Sequence, residues 1–185
     1  SLLDTSNSIL HGSELVQNYE QYLDKPNRQK YTGFSKLDEM AQFEGGNLII
    51  ISARPSNGKS ALAQQMLLEM ARKGSNVLLI SVEMNEAEIT SRLLSMISGK
   101  DNTIFRKGVA IKEILDPAKI ELCKLSNLHI SYQPNSNIKS IIGTIKKLNS
   151  KKKLDAVFLD YLQIVNEPIL KGEGEHNKIG KICKT

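Results

Sequence analysis

Ala53-Arg54-Pro55-Ser56-Asn57-Gly58-Lys59-Ser60 have the residue types and spacing of a loop that cradles phosphate. They meet the pattern G-x-x-x-x-G-K-[ST] at every position but the first, where Ala53 stands. Gly58 lets the backbone come close to a nucleotide's phosphates, Lys59 reaches the β and γ phosphates, and the Ser60 hydroxyl suits magnesium. Backbone N–H groups at the start of the following helix, reinforced by its dipole, also favour an anion. Ala53 requires a turn without positive φ at that position. An ordinary strand-to-helix turn that happens to contain Gly-Lys-Ser is the plainer alternative.

Two acids could complete such a site. Glu83 stands just past the apolar run Asn76–Val82 and could act as a general base. It also reads as a first-turn acid of the helix that follows, and position alone leaves both open. Asp160 ends the apolar run Leu154–Asp160, the arrangement that holds magnesium through water beside a bound triphosphate.

The elements around these residues must bring them together. Asn47–Ser52 is a β-branched apolar run that reads as a buried strand. Lys59–Lys73 reads as a helix, with Ala61, Leu62, Gln65, Met66, Glu69 and Met70 at helical spacing. Gly74-Ser75 ends it, and Asn76–Val82 makes the next strand, so a parallel βαβ unit is expected. In open α/β sheets ligands bind at the carboxyl ends of the strands, where Glu83 and the phosphate loop would meet. Asn85 caps a helix to about Ile97, short helical pieces run over Asp101–Gly108 and from Asp116-Pro117 to Leu125, and Leu128–Ser131 is a strand. Ser136–Leu148 carries Ile138, Ile141, Ile142, Ile145 and Leu148 on one stripe. Upstream, Ser13–Leu23 is an amphipathic helix with Ser13 as N-cap, the polar stretch Asp24–Lys30 breaks it, and Ser35 and Asp38 suggest a capped short helix to Met40.

A chain of 185 residues suits one domain with a substantial core. It has no run of 18 apolar residues and no visible secretory leader, so no membrane partner is expected. Two cysteines, Cys123 and Cys183, are too few for a disulfide framework or a zinc site and point to a reducing compartment. His11, His129 and His176 lack ligand spacing. The net charge of +5 falls wholly on residues 136–185, which hold ten lysines against five acids. A basic region is what a polyanionic partner needs, although Lys151-Lys152-Lys153 alone reads more simply as a solvated helix end.

Thr32-Gly33-Phe34, the phosphate loop, Ser81-Val82-Glu83-Met84 and Asp160-Tyr161-Leu162-Gln163, in that order, together resemble the hexameric replicative DNA helicases of the DnaB type. That family accepts Ala at the first loop position. The resemblance implies an α/β fold, a RecA-like P-loop core with a mainly parallel sheet flanked by helices. It makes 31–185 an ATPase domain, incomplete at its C-terminus, and 1–30 a linker whose helix docks on an adjacent subunit. It implies ATP and Mg2+ as cofactors. Ala53 through Ser60 and Gln163 would contact the nucleotide, Lys59 and Ser60 holding the γ-phosphate and magnesium. Asp160 would complete the metal shell, and Glu83 would orient and deprotonate the attacking water.

The implied partners are single-stranded DNA, other copies of the chain in a hexameric ring, a helicase loader and a primase. The implied location is the cytoplasm of a bacterial or phage-infected cell, at the nucleoid. Residues after Gln163 resemble the start of a region facing DNA in the ring channel. In the family a further strand with a sensor glutamine, DNA loops and an arginine finger follow, and that strand lies between the phosphate-loop strand and the Asp160 strand. A longer polypeptide is therefore expected, with an apolar sheet face left uncovered in this piece. The alternatives are a RecA/RadA-type recombinase, a clock-type ATPase, or a nucleotide-dependent scaffold without helicase activity.

Overall fold

The computed structural model describes residues 9–24, 29–41, 43–54 and 56–160. In chain order the elements are α1 (Gly12–Leu23), β1 (Gln29–Lys30), α2 (Ser35–Met40), β2 (Phe43–Glu44), α3 (Lys59–Arg72) and β3 (Val77–Ser81). They continue with α4 (Glu86–Ser98), α5 (Asn102–Arg106), α6 (Lys112–Lys124), β4 (Leu128–Tyr132), α7 (Ile138–Asn149) and β5 (Ala156–Asp160).

The core is built on β3. Its Val-Leu-Leu-Ile-Ser run is buried throughout, as a strand covered on both faces must be. It lies between β4 and β5 in a parallel three-stranded sheet of order β4-β3-β5. Side chains alternate across a strand, so β3 divides its apolar residues between two helical layers. Val77 and Leu79 pack with Leu67, Leu68 and Ala71 of α3 and with Ile89 and Leu93 of α4. Leu78 and Ile80 pack with Ile141 of α7, whose Ile138, Ile145 and Leu148 flank it. The predicted α/β architecture, a parallel sheet flanked by helices, is the one observed.

Polar contacts fix the amino-terminal edge of the sheet. The Asn127 amide donates to the carbonyls of Ala71 and Ser75 at 2.8 and 2.7 Å, tying the end of α3 and the turn after it to the start of β4. Lys30 Nζ lies 2.7 Å from Asp155 Oδ1, while Asp155 Oδ2 accepts the Asn76 N–H at 2.9 Å. Burial alone would raise the Asp155 carboxyl, but these hydrogen bonds and the charges of Lys30 and Lys153 bring it below its ordinary range.

Several expectations need correction. Asn47–Ser52 has no ladder partner among the described residues, and Leu48, Ile49 and Ile50 are 68%, 46% and 70% exposed. The apolar run favours an extended strand, but a strand exists only where a neighbour takes its N–H and C=O groups. Among the described residues β5 is the edge of the sheet, and Asn47–Ser52 is not paired to it. Among the described residues the expected βαβ unit from that segment through α3 to β3 is therefore not closed by strand pairing.

Helix α6 begins at Lys112, so Pro117 lies inside it rather than at its start. The N-cap of α1 is His11, whose N–H donates to Glu14 at 2.8 Å; Ser13 already lies within the helix. Phe34, not Ser35, caps α2. Asp38 is buried and its Oδ1 accepts from both the N–H and the hydroxyl of Thr32 at 2.7 Å, anchoring the preceding turn. The buried stripe of α3 is Gln64, Leu67, Leu68 and Ala71, with Met66 and Met70, so Ala61, Leu62, Gln65 and Glu69 are not its core positions.

Candidate active site

The site forms at the carboxyl edge of the sheet. Ser81 pairs in register with Asp160 on one side and with Tyr132 on the other. One residue further, the Val82 N–H donates to the Asp160 carbonyl at 2.9 Å. Asp160 is thus the last residue of β5, and Glu83 lies in the turn that follows β3, the strand hydrogen-bonded to it. Asp160 is 5% exposed, whereas Glu83 is exposed between the buried Val82 and Met84.

Helix α3 runs antiparallel to β3, as two contacts establish. Near its start, Gln64 Nε2 donates to Met84 Sδ at 3.6 Å, beyond the carboxyl end of β3. At its far end Ala71 meets Asn127, just before β4 begins. Lys59 and Ser60 open α3 one turn before Gln64, so the N-terminus of this 14-residue helix faces the edge that carries Glu83 and Asp160.

The loop before α3 has the backbone its sequence suggests. Gly58 is the N-cap with φ 77° and ψ 13°. Ser56 also has positive φ, at 65°, and Ala53 does not, so the strained position falls inside the loop and Ala53 is tolerated. The Asn57 N–H donates to the Arg54 carbonyl at 3.2 Å and the Leu62 N–H to the Gly58 carbonyl at 2.9 Å. Ala53, Arg54, Ser56, Asn57 and Gly58 are exposed, and Lys59 and Ser60 are half-buried. Pro55 and Gln163 lie outside the described residues.

The donor set fits magnesium. Ser60 offers a hydroxyl and Asp160 a carboxylate, both hard oxygen ligands, and magnesium keeps several waters and takes substrate phosphates beside one or two protein groups. Among the described residues no group of three or more His, Cys, Asp or Glu could form a protein cage for a metal.

Two buried polar side chains beside the Glu83 turn were given no role in the sequence reading. Ser81 and Gln64 are each 1% exposed beneath the Glu83 turn. Their signal was a polar residue where the periodicity demands an apolar one: the last strand position before an acid, and the core stripe of α3.

A family model described as the DnaB-like helicase C terminal domain matches residues 31–185. A probable plasmid replicative DNA helicase of Chlamydia trachomatis serovar L2 is 30% identical over 158 residues, covering 83% of this chain and 35% of that protein. The replicative DNA helicase DnaB of Rickettsia conorii is 31% identical over 167 residues, covering 83% of this chain and 34% of its own length. A solved structure of a DnaB-like replicative helicase and its interactions with primase aligns with a TM-score of 0.79 at 26% identity, over 95% of this chain and 45% of that one. The chain spans about a third of the length of the curated relatives it matches.

Proposed function

The chain belongs to the DnaB-like helicase C terminal domain family, and from that premise we propose that it is the ATP-driven motor of a replicative DNA helicase. The observation that carries this is the placement of Asp160 at the end of β5 and of Glu83 in the turn after the neighbouring β3, on the sheet edge faced by the N-terminus of α3. Residues 31–185 are the ATPase domain and 1–30 the linker.

The loop from Ala53 to Ser60 wraps the phosphates, with Lys59 on the β and γ groups and Ser60 and Asp160 holding Mg2+. Gln163 belongs to the same nucleotide site. Magnesium, when bound, offsets charge developing on the phosphate oxygens. The Glu83 carboxylate accepts the proton of the attacking water and aims it at the γ-phosphorus. Asp160, enclosed at the end of β5, keeps its carboxylate in one place, so its contribution is preorganised.

The remaining catalytic charge comes from a neighbouring copy in a hexameric ring. In comparable sites an arginine supplied in trans accelerates phosphoryl transfer by about 10³ to 10⁵, so an isolated copy turns over slowly. Helix α1 supports assembly: it buries no residue, and Leu15, Val16, Tyr19 and Leu23 are exposed. That face docks on the adjacent subunit. Nucleotide state then shifts loops between forms that hold single-stranded DNA differently. A loader and a primase are the further partners, and the cytoplasm of a bacterial or phage-infected cell is the setting.

ATP turnover and forked-duplex unwinding by the whole protein test this reading. The expected result is turnover stimulated by single-stranded DNA together with ATP-dependent unwinding. Nucleotide binding with neither activity would instead identify a scaffold, and strand exchange without unwinding a recombinase.

A further inference from the structure

We propose that Ser81 is a positioning residue for Glu83, its hydroxyl locking the turn that presents the carboxylate. This rests on Glu83 being the base. The Ser81 Oγ donates to the Met84 carbonyl at 2.7 Å and accepts the Met84 N–H at 3.0 Å. One side chain thus satisfies both backbone groups of the residue just past Glu83. In an ordinary four-residue turn the Ser81 carbonyl would take the Met84 N–H. Here that carbonyl already accepts the Gln133 N–H at 2.9 Å, extending the sheet to the β4 side, and the hydroxyl takes over its role.

The remaining contacts hold the same turn from other directions. Val82 is tied to Asp160 through its N–H. The Gln64 amide reaches the Met84 thioether from α3. Gln64 Oε1, itself buried, accepts no hydrogen bond among the described residues, so Gln64 is kept in the core although its polar group is only half satisfied. Burial along Ser81–Met84 leaves one side chain of the turn outside, that of Glu83. A serine that merely filled space would not bond both polar groups of a residue three positions on.

Correct aim matters because a base must lie within hydrogen-bond reach of its water. The test combines Ser81→Ala and Glu83→Gln, singly and together, in the whole protein, reading DNA-stimulated ATP turnover and the affinity of a fluorescent ATP analogue. Ser81→Ala is expected to lower kcat about 10- to 100-fold, since small misplacements of reacting groups cost that much. KM and analogue affinity should stay within about 2-fold, because uniform binding is untouched. Ser81→Thr, which keeps the hydroxyl, should recover most of the rate.

In the Glu83→Gln background Ser81→Ala should add almost nothing, as no carboxylate is left to aim. Full turnover by Ser81→Ala beside an inactive Glu83→Gln would overturn the positioning role and leave the base assignment standing. An equal further loss in the double variant would also overturn it. Parental turnover by Glu83→Gln would instead remove the base assignment itself. Should Ser81→Ala fail to bind the analogue, Ser81→Cys, a weaker donor and acceptor, carries the test: reduced kcat at unchanged affinity supports the proposal, and parental kcat overturns it.

Discussion

The Val82 N–H donates to the Asp160 carbonyl at 2.9 Å, making the turn that bears Glu83 a continuation of the ladder that bears Asp160. Ser81 and Asp160 are register partners, so a slip of one residue between β3 and β5 would move the acids out of alignment and turn side chains to opposite faces. Strand pairing therefore fixes Asp160 directly and the start of the Glu83 turn through Val82. Helix α3 brings its N-terminus, with Lys59 and Ser60, to the same edge through its own packing on β3.

Lys59→Ala should weaken ATP at least about 10- to 100-fold, because a hydrogen bond to a charged group contributes about 1.5–3 kcal/mol. Equilibrium binding of a fluorescent nucleotide measures it. Unchanged affinity would mean that the loop does not hold the phosphates in the way described.

Gly33→Ala should destabilise the fold without touching the site. Gly33 has φ 92°, and a Cβ there would collide with Glu69 Cβ and Cγ on α3. Positive φ costs about 1–2 kcal/mol for a residue with a side chain, and forcing a methyl into packed surroundings adds about 1–3 kcal/mol. Urea unfolding should show a lower midpoint, and a midpoint equal to the parent's would show that the Thr32-Gly33-Phe34 turn yields easily.

Stability should fall in two stages as pH drops. Burial and the nearby Lys152 charge hold the His129 imidazole below its ordinary value, so the unfolded chain takes up that proton first. This contribution is complete above about pH 6.5 and is lost as pH falls below it. Asp155 is depressed by its partners despite burial. Its contribution is present above about pH 4 and is lost as pH falls through the lower folded value. His129→Gln should flatten the upper stage and Lys30→Met the lower one in melting curves taken against pH. A His129→Gln profile identical to the parent's between pH 7 and 5 would contradict the first assignment.

Much of this was legible in the sequence because its causes are local. The helix from Lys59 and the Asn85–Glu88 cap, with Glu88 N–H on Asn85 at 3.0 Å, are decided by neighbouring residues. The strands at Val77 and Ala156 carry their own apolar pattern. What was not legible depends on partners. Leu48, Ile49 and Ile50 look like a strand in any sequence, but burial and pairing come from a neighbour, and among the described residues they have neither. Asp38 read as a helix cap because its anchor, Thr32, lies on the turn before the helix. Ser81 stood inside a recognised motif, yet its role needed the position of the Met84 backbone. Gln64 was hidden because a polar residue in a core stripe gives no hint of what it faces.

The most direct measurement of the account is nucleotide affinity and ATP turnover of Glu83→Gln, side by side with the parent protein. The amide keeps the shape of the side chain and removes its basicity, so affinity should change little while turnover falls about 10²- to 10⁴-fold, the usual contribution of a general base. Turnover at the parental rate would contradict the assignment of Glu83, and with it the hydrolytic site built from Lys59, Ser60, Glu83 and Asp160.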